Sequence, residues 1–363
     1  MYKGNKGEWS ELYVFFQLLS EGKLYSADEK LERNGNFVEV QSIKRNDFGK
    51  PKDYKIETSG NVNIVDSETG NILRAIPRAE IVDITRNLIR ELKQGKGKAF
   101  GVSSSLEANI NSFMIEKVSE SYGLKGDINL YIYDPVNSIL TDQKFSIKSL
   151  LGSNPTAFNA NPTTNIIYEI LTKDGKPLEE NEIIEINEID TRHKYIDRVR
   201  FILDNYSIHY RDYQGEVFKL NLQLIDSSLP EIIASAVLNK YAFGITKFNE
   251  VIEKLNDANP CNYNLKHGHS FYEYRLINFM VESSLGMTSA TVWSGEYDVI
   301  GGIIIVKGNE EVVSYHLIDF NKFKKYLLDN CRLDNPSGSK MGYGTAYIEE
   351  GKSYIKLNFQ VKV

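Results

Sequence analysis

The sequence predicts a mixed α/β or α+β fold, helices packed around a mixed sheet, on three observations. Residues 79–93 carry Ile81, Ile84, Leu88 and Leu92 at helical spacing. Residues 127–148 alternate apolar and polar side chains around the turn Asp134-Pro135-Val136-Asn137-Ser138, the pattern of a hairpin. Gly301-Gly302-Ile303-Ile304-Ile305-Val306-Lys307 and Val312-Val313-Ser314-Tyr315-His316 make a second, strongly apolar hairpin over Gly308-Asn309.

The elements follow in order. Residues 7–20 read as a helix, with Leu12, Phe15, Phe16 and Leu19 in one stripe and Gly22 just beyond its end. Residues 37–74 read as short strands, broken at Asn46-Asp47-Phe48-Gly49 and Ser59-Gly60-Asn61. Gly95-Lys96-Gly97-Lys98 ends the helix at 79–93, and another helix is expected at 105–120. After the first hairpin comes a strand at 165–171. Glu179-Glu180-Asn181-Glu182 is acidic and expected to be exposed. Beyond it, helices are expected at 191–204, 229–241, 246–256, 270–285 and 320–329, and closing strands near 343–349 and 353–361. The expected division, near the turn Lys173-Asp174-Gly175-Lys176-Pro177, is an N-terminal region, 1–175, and a C-terminal α+β region, 176–363.

A chain of 363 residues can bury a large core. Charged residues at 25% and hydrophobic residues at 41% are ordinary for a globular protein. No apolar run approaches the roughly 20 residues that cross a bilayer, and Met1-Tyr2-Lys3-Gly4-Asn5 has no secretory apolar region. Cys261 and Cys331 lack metal spacing and fit a reducing, cytoplasmic setting. The net charge of −6 argues mildly against nucleic acid as a partner, yet phosphate binding depends on the field of one face, and acids around a metal count against the global sum. A nucleophile elbow, a Walker loop and a dinucleotide fingerprint are absent.

The candidate chemistry lies in Asp127, at the mouth of one strand, and Lys148, at the end of the next. An aspartate there can hold Mg²⁺ against a phosphate, and a lysine can steer the attacking water and stabilise the anionic transition state. Eighteen residues separate Asp127 from Ser146, room for a strand, a turn and a return strand. Strand alternation sets Ser146 and Lys148 on one face. Without more evidence, a capped strand end and a surface lysine explain the same residues.

The block Phe145-Ser146-Ile147-Lys148-Ser149-Leu150-Leu151-Gly152, with Thr156, Asn159-Ala160 and Thr164-Asn165-Ile166-Ile167-Tyr168 after it, resembles the HpaII family of type II restriction endonucleases. The opening Lys6-Gly7-Glu8-Trp9-Ser10-Glu11-Leu12-Tyr13 is similar to that family's N-terminus. Tyr272-Glu273-Tyr274, Leu285-Gly286-Met287, Tyr297-Asp298, the 301–307 strand and Leu357-Asn358-Phe359-Gln360-Val361 are similar to its C-terminal half. The resemblance implies a PD-(D/E)XK nuclease core in the variant form D-x(18)-S-x-K. It implies Mg²⁺-dependent double-strand cleavage at a short palindrome in double-stranded DNA, C-C-G-G in the family, with a cognate DNA methyltransferase as companion.

Ser146 departs from the usual pattern, which has Glu or Asp two residues before the lysine. The missing charge is expected from Glu11, with Glu8 next and Gln143 a polar third option; an exposed first-turn glutamate is the plain alternative. Asp127 and Glu11 are thus the expected metal ligands, and Asp127, Ser146, Lys148 and Glu11 the catalytic set. Ser149, Ser153, Thr156, Asn159 and Asn165 are candidate DNA contacts. Lys44, Arg45, Arg192, Arg198, Arg200 and Arg211 are available to read guanine in the major groove. Asp298 and Lys307 are a competing acid–lysine pair, about 30 Å apart if the chain between them is extended. His267 and His269 give only a weak metal hint. A catalytically decayed DNA-binding protein and a structure-specific repair or junction nuclease are the competing functions. A palindromic target calls for two chains, assembling as a homodimer on DNA.

Overall fold

The structure, a computed structural model, describes residues 2–119, 126–152, 155–317 and 320–363. In chain order its elements are α1 (Lys6–Glu21), β1 (Lys23–Ala27), β2 (Arg33–Asp47), β3 (Lys50–Ile56), β4 (Asn61–Asp66), β5 (Ile72–Pro77), α2 (Arg78–Gln94), α3 (Ser104–Ser112), β6 (Ile128–Asp134) and β7 (Ile139–Ser149). Then come β8 (Thr156–Phe158), β9 (Asn165–Leu171), α4 (Glu180–Glu188), α5 (Lys194–Asn205), β10 (Ser207–Tyr213), α6 (Glu216–Ile225), α7 (Leu229–Phe243), α8 (Phe248–Ala258) and α9 (Phe271–Leu285). The chain closes with β11 (Gly302–Val306), β12 (Val312–His316), α10 (Phe320–Asn330), β13 (Arg332–Leu333), α11 (Gly338–Met341), β14 (Ala346–Glu349), β15 (Lys352–Asn358) and β16 (Val361–Lys362).

The chain forms two compact units, 1–155 with 297–323, and 156–296 with 324–363. The expected boundary at 175 therefore falls inside the second unit. Sequence order hides this because the apolar hairpin β11–β12 returns from the far end of the chain to complete the first unit's sheet.

That sheet is mixed, in the order β1-β12-β11-β7-β6-β2-β3-β4-β5. β2, β6 and β7 run antiparallel in turn, and β11 lies parallel to β7 with Ile303 beside Ser146 and Ile305 beside Lys148. α1 packs on this sheet because its apolar stripe has no other cover: Leu12, Phe15, Phe16 and Leu19 are buried with Phe145, Ile147 and Ile304 of the sheet and Leu88 of α2. Asn5 caps α1, taking the N–H groups of Gly7 and Glu8, and the Glu8 carboxylate closes the box on Asn5 N at 2.7 Å. Gly22, at φ 67°, ends the helix in the left-handed conformation that favours glycine.

The second unit holds two sheets, β10-β9-β15-β14 and β13-β16-β8, with helices packed on them. Most expected elements form here, but the acidic stretch after 179 is the helix α4, burying Ile183 and Ile186. α3 ends at Ser112, short of the expected 120, and Met114 just beyond it has φ 57°. Among the described residues no helix is long and apolar enough to cross a membrane.

Candidate active site

β6 and β7 are in register with Ile128 opposite Phe145, so Asp127 falls opposite Ser146 where β6 begins and β7 runs on. The backbone fixes that position: Asp127 N donates to Phe145 O at 2.8 Å. The side chain closes back on the same strand. Asp127 Oδ2 accepts from Ser146 Oγ at 3.1 Å and from Ile147 N at 2.6 Å. Among the described residues Oδ1 accepts no hydrogen bond, which leaves one carboxylate oxygen for a ligand.

Glu11, on α1, lies within electrostatic reach of Asp127. The helix is pinned to the end of β7 by Ser10 Oγ, which donates to Ser149 Oγ at 2.8 Å, and Lys6 Nζ reaches Leu151 O at 3.4 Å. One residue on, Glu11 Oε2 accepts from Ser119 Oγ at 2.5 Å. Burial pushes the Glu11 carboxyl up to about 8, the charge of Asp127 adds to the rise, and the Ser119 hydroxyl opposes it. Two carboxylates that repel each other at a strand end, beside a serine hydroxyl, make an oxygen donor set suited to a hard divalent cation such as Mg²⁺, which needs few protein ligands because it retains water. Such a cation would offset the repulsion that raises Glu11. Among the described residues no group of three His, Cys, Asp or Glu could hold a metal.

Of the three candidates for the missing charge, two are committed elsewhere. Glu8 closes the α1 cap. Gln143 Oε1 pairs with His316 Nε2 at 2.5 Å, against the ring of Phe145. Lys148 is half-buried on β7, and among the described residues its ammonium has no ion-pair or hydrogen-bond partner. It is two residues from Ser146, on the same face of the strand.

The competing lysine is occupied. Lys307 Nζ is buried between Glu32 at 3.0 Å and Glu311 at 2.8 Å, which makes it a structural ion pair. His267 and His269 are exposed, and His269 stacks on Phe271.

The candidate DNA contacts separate. Ser149 is used inside the first unit, accepting from Ser10 and from Leu151 N at 3.3 Å. Ser153 lies outside the described residues. Thr156 opens β8, and Asn159 is exposed. Asn165 is a correction: it is fully buried, donates to Gln214 Oε1 at 3.0 Å and Met341 O at 2.8 Å, and accepts from Asn358 Nδ2 at 2.7 Å. Its amide holds the second unit together and is not presented to a ligand. Arg198 is buried on the carbonyls of Ile189, Gly344 and Asn187, and Arg45 is buried against Asp47, so neither offers a guanidinium to a base. Arg211 is paired with Glu169, Lys44 with Asp142 at 2.8 Å, and Arg200 Nε donates to Ala242 O at 2.9 Å. Arg192 is exposed. Sequence reasoning missed Ser119 and His316; neither sits in a motif, and both act through partners more than a hundred residues away.

Asp127, Ser146 and Lys148 thus lie together at the end of β7, and comparison with known proteins gives the class of the chain. The chain belongs to the HpaII restriction endonuclease family, whose model matches residues 5–363, and so to the DNA-cleaving hydrolases. It is 33% identical over 362 residues to the type II restriction enzyme HpaII of Haemophilus parainfluenzae, which covers 99% of this chain and 98% of that enzyme. No solved structure matches the chain.

Proposed function

We propose that the chain is a type II restriction endonuclease that hydrolyses both strands of a short palindromic DNA site with Mg²⁺, leaving 5′-phosphate and 3′-hydroxyl ends. Family membership and 33% identity to the HpaII enzyme support C-C-G-G as the site. The arrangement of β2, β6 and β7, with β11 parallel to β7 and α1 packed beside them, supports reading the first unit as a PD-(D/E)XK core.

The observation that carries the mechanism is the hydrogen bond of Ser146 to Asp127 where β6 begins, with Glu11 within electrostatic reach and Lys148 two residues along β7. Asp127 and Glu11 would hold the metal, which would supply Lewis-acid polarisation of the phosphate. Ser146 and the Ile147 N–H fix Asp127, so its carboxylate does not have to reorganise as the transition state forms. Lys148 orients the attacking water and favours hydroxide. Water adds to phosphorus, the bond to the 3′ oxygen breaks, and that oxygen takes up a proton.

The neutral Ser146 favours a second reading, a DNA-binding protein that has lost catalysis. Plasmid incubated with Mg²⁺ decides between them. Discrete fragments that end at C-C-G-G support the endonuclease, binding without cutting supports the decayed protein, and nicking governed by DNA structure supports a repair enzyme on the same core.

A further inference from the structure

The face of the nine-stranded sheet that carries Ser146 and Lys148 holds polar groups that the catalytic set does not use. β6 alternates along its whole length. Ile128, Leu130 and Ile132 are buried in the core with α1, and Asn129, Tyr131 and Tyr133 between them are half-buried on the opposite face. β7 alternates in step: Phe145 and Ile147 join the same core, so Ser146 and Lys148 stand on that opposite face. Register completes the surface. Asn129 is opposite Lys144 on β7 and Lys44 on β2, and Tyr131 is opposite Asp142. Asp127, opposite Ser146, heads the line Asp127, Asn129, Tyr131, with about 7 Å between successive members.

Two polar groups of this line are unmatched. Among the described residues the Asn129 amide and the Tyr131 hydroxyl have no hydrogen-bond partner. The core face differs: Tyr54 Oη donates to Phe113 O at 2.8 Å, and Arg45 is paired with Asp47. Asparagine is depleted in strands, so strand formation does not account for Asn129 between the buried Ile128 and Leu130. The charges around it suit an anion. Lys44 and Lys144 flank Asn129, and the acid beside Tyr131, Asp142, is neutralised by Lys44 at 2.8 Å. The Lys144 stem lies against Gly126, where a Cβ would meet its Cε at 2.6 Å, so it runs over the backbone immediately before Asp127. An amide and a phenol beside ammonium groups are donors suited to sugar–phosphate oxygens.

We infer that the DNA strand being cut runs along β6, and that Asn129 and Tyr131 hydrogen-bond its sugar–phosphate backbone on one side of the scissile bond. The inference rests on the DNA-cleaving reading above and adds the path of the strand over the protein. Both contacts are to backbone, so they set the scissile phosphate against Asp127 without reading sequence.

The test uses Tyr131→Phe, which removes the hydroxyl alone, and Asn129→Ala. Binding is measured in Ca²⁺, to hold off cutting, on two duplexes of equal length, one containing C-C-G-G and one not. Each variant should lose roughly tenfold in affinity on both duplexes, the loss of one hydrogen bond to a charged acceptor. The slope of log K against log salt should keep its wild-type value, because a neutral donor releases no counterion. The melting temperature should not change, since neither group has a partner in the protein; a structural role would lower it. Neutral methylphosphonates, placed one at a time beside the scissile bond, should weaken wild-type binding at a position where Tyr131→Phe adds no further loss. Tyr131→Phe keeps the ring, so it carries the test should Asn129→Ala fail to fold. Wild-type affinity on both duplexes in either folded variant overturns the inference while leaving the endonuclease reading intact. A loss confined to the C-C-G-G duplex also overturns it, by moving the contact to a base. A wild-type chain that binds neither duplex overturns both.

Discussion

Asp127 and Ser146 meet at 3.1 Å across the point where β6 begins and β7 runs on, so the residue that replaces an expected acid hydrogen-bonds to the remaining one. The serine therefore works as a positioning residue for Asp127. A hydrogen bond to a charged acceptor contributes about 1.5–3 kcal/mol. The Ile147 N–H, at 2.6 Å, holds the same oxygen and survives substitution. Ser146→Ala should slow single-turnover cleavage by roughly tenfold, the lower end of that range, and raise the Mg²⁺ requirement. Indistinguishable Mg²⁺ titrations for the variant and wild type would refute this role.

Asp127→Ala and Lys148→Ala should each abolish cleavage while sparing DNA binding in Ca²⁺. Lys307→Met should keep full cleavage, because its ammonium serves Glu32 and Glu311; partly exposed ion pairs of this kind are worth at most about 1 kcal/mol. The check is plasmid cleavage beside a binding assay. A dead Lys307→Met with an active Lys148→Ala would move the site to the other hairpin.

Glu11 supplies a pH prediction. Its carboxyl, raised to about 8 in the folded protein, lies far above the ordinary carboxylate range. Without metal, the folded state holds a proton that the unfolded state releases, so stability from this group is present at acidic pH and declines as pH rises towards 8. Metal binding needs the ionised form, so Mg²⁺ uptake at pH 7 should release close to one proton, and Mg²⁺ affinity should climb with pH until about 8. Calorimetry in buffers of different ionisation enthalpy measures the proton count. Glu11→Gln should remove the proton release and weaken Mg²⁺ binding; unchanged release in that variant means another group titrates.

Asn165 is predicted to matter for stability and not for DNA. Asn165→Ala removes three hydrogen bonds; Gln214 is exposed and Asn358 Nδ2 keeps Asn161 O, so the net cost is on the order of 1–3 kcal/mol. A melting temperature lower by roughly 4–8 °C corresponds to a net cost of about 2 kcal/mol. DNA affinity of the folded fraction should be unchanged. Weaker DNA binding at full stability would return Asn165 to the interface.

These outcomes trace what the sequence could carry. The stripes of α1 and α2 and the period-2 pattern of β6 and β7 are local, and they form as the spacing predicts because each has one apolar face to bury. The pairing of β11 with β7 is non-local, and periodicity does not say which strand lies beside which. For that reason Asp298 and Lys307 read as a rival pair, although the strand that ends before Lys307 runs beside Lys148. The polar residues fared unevenly for a related cause. Asn165 and Arg198 have the side chains of DNA contacts, but their burial depends on partners elsewhere in the chain. Glu8 and Glu11 are three residues apart on one helix, and only Asn5, which draws Glu8 into the cap, separates their roles.

The last prediction concerns assembly. A palindrome presents the same bonds on both strands about a two-fold axis, and the first unit contains one set of Asp127, Glu11 and Lys148. One set cuts one strand at a time, so a concerted double-strand break needs two chains in a two-fold arrangement. The net charge of −6 makes free chains repel, and bound DNA offsets that repulsion and holds two of them together. Sedimentation should show a monomer alone and a two-to-one complex on a duplex carrying the site. Plasmid cleavage should pass from supercoiled to linear without accumulating nicked circle. A one-to-one complex that makes breaks through a nicked intermediate would replace the dimer with a monomer that rebinds in the opposite orientation.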